Sequence, residues 1–140
     1  MIRLANYAPA SVTKARFTGR IKLNTISMSD TDIGLILTLK AGNACVGIYT
    51  HKPASGNSYF AIRNGQNEAV DTSKQLEFEK WYEVEGLIEN GVQTIKVDGE
   101  QIYSGSGNTY YNSSGVIFTK NSNKNGTLDV DIDWAMFQWS

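Results

Sequence analysis

The carboxylates with the most suggestive spacing are Asp129, Asp131 and Asp133, which alternate with Val130 and Ile132 near one end of the sequence. On an extended strand such neighbours share a face roughly 6.5–7 Å apart, close to the ~5.5 Å of a retaining glycosidase pair. Lys14, Arg16, Arg20 and Lys22 form a basic stripe of the same kind near the other end. Three readings follow: the stripes neutralise each other, the basic one holds an anion, or the acidic one holds a cation. His51 is the one histidine and has no Ser and Asp companions in a triad-like arrangement. Cys45, the one cysteine, sits between Ala44 and Val46 and reads as a buried, inert thiol. One Cys and one His exclude a zinc site. Asn121, Asn123, Asn125 and Gly126 imitate the start of a calcium loop. However, Asn replaces Asp at its first position and Ile132 occupies its twelfth, where a bidentate Glu belongs. A polar hairpin loop is the expectation there; no cofactor is expected, and calcium is not favoured.

Sugars present apolar C–H faces and directional hydroxyls, so a sugar site combines aromatic platforms with planar polar groups. Two segments supply both. Tyr49, His51, Asn57 and Tyr59 surround residues 50–58, and Tyr110, Tyr111 and Asn112 lie within 104–114. Tyr, Asn, Ser and Gly loops also suit protein contacts. By strict alternation, Leu128, Val130, Ile132, Trp134 and Met136 face inward, leaving Phe137 and Trp139 outward. Those two aromatics, together with Ile2 and Leu4, are candidates for burial against another subunit.

The elements that must position these groups are strands. In 14–24, Ala15, Phe17, Gly19, Ile21 and Leu23 alternate with charged or polar residues, the pattern of a half-buried strand. Residues 80–89 alternate in the same way, and 33–40, 45–50, 58–63, 115–119 and 128–139 are further apolar runs. Asn64-Gly65, Asn90-Gly91 and Asp98-Gly99 carry the positive φ angles of tight hairpins. No segment sustains a 3.6-residue period. The expectation is an all-β antiparallel sandwich, with residues 1–12 an arm or first short strand and 13–140 one domain.

Composition agrees. The chain has 140 residues, with 13 Lys and Arg against 14 Asp and Glu, and Gly, Asn, Ser and Thr make about a third of it. Without a basic surplus, nucleic acid is not expected as a partner. No stretch approaches the ~20 apolar residues of a membrane helix, and residues 1–10 lack a signal-peptide core.

Four segments carry a family likeness: Trp81-Tyr82-x-Val84, then Gly91-x-x-Thr94-Ile95-x-Val97-Asp98-Gly99, then Gly115-Val116-Ile117-Phe118, then Leu128-Asp129-Val130-Asp131-Ile132-Asp133. Together they resemble the concanavalin A-like lectin/glucanase superfamily, in its laminin-G-like branch, over roughly residues 15–138. The resemblance implies a jelly roll in which the first long strand and the last lie side by side, so that the two charge stripes pair. Hydrolases of this superfamily carry a Glu-x-Asp-x-x-Glu pattern, and no Glu here fills the acid/base position. The size and composition are also similar to those of small bacteriophage capsid-decoration or fibre domains. The resulting expectation is a non-enzymatic virion-surface protein, made in the host cytoplasm or else extracellular. It would assemble with itself or other virion proteins and contact cell-surface glycan. A lectin-like module is the alternative, and a glycan hydrolase the remote one.

Overall fold

The computed structural model describes residues 2–4, 13–28, 34–41, 44–51, 58–63, 69–106, 116–118 and 126–140. The segments that alternate in sequence are extended. They form β1 (Ile2–Leu4), β2 (Lys14–Met28), β3 (Gly34–Ala41), β4 (Ala44–His51), β5 (Ser58–Arg63), β6 (Ala69–Leu76), β7 (Trp81–Glu89), β8 (Val92–Val97), β9 (Glu100–Ser106), β10 (Val116–Phe118) and β11 (Gly126–Trp139). Among the described residues there is no helix. Two antiparallel sheets result, one ordered β1-β10-β3-β4-β5-β6 and the other β11-β2-β7-β8-β9. This is an all-β sandwich with jelly-roll character.

The core lies between the sheets and follows the period-two pattern. Ala15, Phe17, Ile21 and Leu23 of β2 meet Tyr82, Val84 and Ile88 of β7 and Ile95 and Val97 of β8, with Phe60 and Ile62 supplied by the opposite sheet. The rings of Phe60 and Tyr82 meet edge to face, centroids 5.2 Å apart at 84°, a geometry that the ring quadrupoles favour. The Tyr82 hydroxyl stays satisfied because it accepts the Glu77 backbone N–H at 2.9 Å.

Turn chemistry sets the β7–β8–β9 meander. Asn90 and Gly91 adopt φ of 51° and 80°, and Asp98 and Gly99 adopt the same pair of values, the left-handed geometry of two-residue hairpins. Asp98 Oδ1 also accepts the Glu83 backbone N–H at 2.8 Å, which ties the second turn to β7.

β6 has no alternating signal in its sequence. It is held by antiparallel pairing to β5, with a register shift between Tyr59 and Ala61, and by the Thr72 hydroxyl, which donates to the Phe60 carbonyl at 2.7 Å. At the same side of the sandwich, Lys74 of β6 reaches Glu100 of β9 at 2.6 Å, linking the two sheets. Residues 2–4 add an edge strand, with Ile2 opposite Phe118 and Leu4 opposite Val116 in backbone register. The Asn64-Gly65 turn and the calcium-loop imitation at 121–125 lie outside the described residues.

The main departure from the sequence pattern is in β11. It runs antiparallel to β2, but Asp133 has no partner: Ile132 pairs with Ile21 and Trp134 already with Arg20. A second irregularity, between Asp129 and Val130, passes over Asn24 of β2. One extra residue in one strand is a β-bulge, and it reverses which face every later side chain meets. Beyond Asp133, Ala135 and Phe137 therefore pack against the core, while Trp134 and Met136 are 39% and 47% exposed. The expectation that Trp134 and Met136 point inward, and Phe137 outward toward a subunit, is corrected. Trp139, at 40% exposure, rests against the Phe137 ring with centroids 5.3 Å apart.

Candidate functional site

The chemistry-bearing residues that the structure brings together lie on the outer face of the five-stranded sheet. Strand β2 runs down its middle, and register places Lys22 between Asp131 and Trp81, Arg20 between Trp134 and Glu83, Thr18 between Met136 and Glu85, and Arg16 between Gln138 and Leu87. Their alternate neighbours fill the core, which fixes the outward direction of this set.

The basic stripe divides between two partners. Lys22 Nζ reaches Asp131 at 2.8 Å, and Arg20 Nη1 donates to Asp133 Oδ2 at 2.8 Å. Arg16 turns the other way, onto Glu85 of β7, with its Nε at 2.9 Å. Lys14 likewise faces Glu89 at 3.2 Å. Glu85 also meets Lys96 of β8 at 3.7 Å. Asp129 is exposed on β11 opposite Thr25. These pairs are solvent-exposed, so each contributes at most about 1 kcal/mol, less at high salt.

Asp131 is held below the ordinary carboxylate range, chiefly by the hydrogen bond from Lys22 and then by one from Asn24. Trp81 carries two cations on its ring, with Arg20 Cζ 4.9 Å and Lys22 Nζ 5.1 Å from the centroid. Such contacts hold a guanidinium in place at a modest gain, ~0.5–1 kcal/mol at exposed sites. Trp81 is thus a support for cations, and Trp134 is the more open aromatic surface.

The proposed sugar loops fare differently. Tyr49 and His51 lie in β4 and Tyr59 in β5, on strands of the other sheet. Backbone register sets His51 opposite Tyr59 and Tyr49 opposite Ala61. Asn57, Tyr110, Tyr111 and Asn112 lie outside the described residues. Among the described residues, no group of three or more His, Cys, Asp and Glu could hold a metal.

Sequence reasoning missed Trp134 and the Arg20–Trp81 stack. The available signal was the end of clean alternation after Asp133, where Trp134, Ala135, Met136 and Phe137 are apolar on both parities.

No protein-family model and no curated protein sequence matches the chain. Solved structures do share its fold. An alginate lyase from Alteromonas sp. 272 superimposes with a TM-score of 0.59 at 12% identity, covering 94% of this chain and 73% of that one. An alginate lyase in complex with dimannuronate gives 0.60 at 9% identity over 90% of this chain, which spans 64% of the lyase. A human galectin-16 variant gives 0.53 at 13% identity, covering the whole of both chains.

At such identities the likeness is one of fold, a jelly roll consistent with the concanavalin A-like superfamily. It corrects the expectation of a non-enzymatic virion-surface protein, because the neighbours are glycan-degrading lyases and a galectin. Enzymatic action was set aside on the sequence because the carboxylate pair of a hydrolase is incomplete. That criterion does not apply to a lyase. Elimination needs a base at a carbon acid and donors or cations on the adjoining carboxylate, and it makes no use of two carboxylates across a glycosidic bond.

Proposed function

We propose that this protein acts on an acidic polysaccharide, a polyuronate of the alginate type, by lyase-type cleavage. The observation that carries the reading is the fold likeness to alginate lyases over nine-tenths of the chain. Arg20, Lys22 and Arg16 support it as cations on one open face, beside the exposed Trp134. In such a cleavage a base takes the proton from the carbon next to the uronate carboxylate. The glycosidic oxygen leaves the neighbouring carbon with the bonding electron pair and takes up a proton, and a carbon–carbon double bond remains in the sugar. A cation on the carboxylate stabilises the charge that builds up there. Placement in the laminin-G-like branch rests on the Trp81 and Val97-Asp98-Gly99 motifs alone.

A second reading, glycan binding of the galectin kind, is favoured by one observation: the galectin match covers both chains completely, while this chain spans 64–73% of the two lyases. One experiment separates the two. Pure protein is incubated with alginate while the ultraviolet absorbance of the unsaturated product is followed, and retention on immobilised alginate is measured in parallel. Turnover supports the lyase reading. Retention without turnover supports the second. A protein that neither retains nor cleaves any uronate or neutral polysaccharide sinks both.

A further inference from the structure

We propose that Asp133 is a built-in competitor for the carboxylate of an acidic sugar, and that Arg20, once released from it, selects uronate-containing glycans over neutral ones. The inference deepens the proposed action on polysaccharide and rests on it. Three carboxylates answer the cations of β2 on this face, and they are not held equally. Glu85 is the most enclosed, its side chain 17% exposed, and it is gripped by both Arg16 and Lys96. Asp131 accepts hydrogen bonds from Lys22 and Asn24. Asp133 is 48% exposed and is met by one guanidinium nitrogen of Arg20. It is also the bulge residue that pairs with nothing on β2. It is therefore the carboxylate that leaves its cation at the least cost.

Arg20 stays in place when that happens, because its guanidinium lies 4.9 Å from the centre of the Trp81 ring. With one nitrogen engaged by Asp133, the guanidinium has further N–H donors for a bidentate grip on an incoming carboxylate. Trp134, the register neighbour of Arg20 on β11, presents apolar surface for the C–H face of the same sugar. The bulge supplies both halves of this arrangement: it leaves Asp133 unpaired, and it turns Trp134 outward beside Arg20.

The test is affinity electrophoresis of the full chain through gels containing alginate or a neutral glucan, with thermal unfolding as the control. Removing the competitor in Asp133→Asn should tighten alginate binding about 2- to 5-fold, the range that an exposed ion pair allows. Arg20→Gln should weaken alginate binding about 10-fold, as loss of a charged hydrogen-bonding partner does, and leave any glucan binding unchanged. Both variants lose the same ion pair, so their melting temperatures should move in the same direction while their affinities move in opposite ones. A merely structural role for the pair moves both affinities the same way. If wild type binds alginate and either variant fails to shift as stated, the inference is overturned and the polysaccharide reading stands. If wild type binds no polysaccharide, both fall.

Discussion

The two halves of β11 belong to one strand, pair with one neighbour, and yet obey opposite rules. Before the bulge, Asp129 and Asp131 are outward and Val130 and Ile132 pack against the core, an ordinary half-buried strand. After it, the outward residues are Trp134, Met136 and Gln138, and Ala135 and Phe137 are the ones that pack inside. The first half answers β2 with charge. The second answers it with apolar and amide groups. The face toward solvent therefore changes character along one strand because of a single unpaired residue, and composition sets only what each half can do.

The strongest way to break this contrast is to delete Asp133. Removing the extra residue restores unbroken alternation and drives Trp134 and Met136 toward the core and Phe137 away from it. A loss of roughly 3–5 kcal/mol in urea unfolding is expected, within the class of core disruptions, together with loss of glycan retention. A deletion as stable as wild type overturns the account of the bulge.

A second comparison sharpens the contrast within the later half. Phe137→Ala removes a ring packed on the core and should cost about 2–4 kcal/mol. Met136→Ala, one residue earlier on the exposed side, should stay within about 0.5 kcal/mol. Equal effects would mean that parity is not reversed there.

Gly19 tests the β2 side of the bulge. A Cβ at this position would come within 2.7 Å of Phe17 Cζ and 3.2 Å of the Trp134 carbonyl oxygen. Gly19→Ala should cost about 1–3 kcal/mol through overpacking, measured by thermal unfolding.

The smallest effect is in the acidic half. Asp131 titrates below the ordinary carboxylate range because Lys22, and then Asn24, donate to it. Its contribution is therefore complete above the unfolded carboxyl value and is lost as pH falls through the lowered folded value. Asp131→Asn should flatten the acid limb of the stability curve and leave stability near neutral pH less dependent on acidification. An unchanged acid limb counts against the pairing.

Much of the fold was legible in the residues. Alternation in β2 and β7, and the Asn90-Gly91 and Asp98-Gly99 turns, reflect local chemistry that acts within a few residues. β6 was not legible, because Thr72 and backbone pairing to β5 hold it and no apolar rhythm marks it. The candidate face was half legible. Both charge stripes stand out in sequence, but which cation meets which carboxylate depends on three strands at once, and Lys14 and Arg16 turn to β7. Trp134 was hidden because a bulge is a relation between two strands, and only the loss of alternation after Asp133 hints at it.

The β2–β11 pairing also dictates an order of events in folding. The meander β7–β8–β9 closes through two-residue turns, whereas the Arg20–Asp133 contact spans 113 positions in the chain. Closing so long a loop carries a larger entropic cost, and contacts of that kind form slowly. The outer face thus comes into being only when the strands most distant in sequence dock. In pulse-labelled hydrogen exchange during refolding, the amides of β7, β8 and β9 should gain protection before those that join β2 to β11.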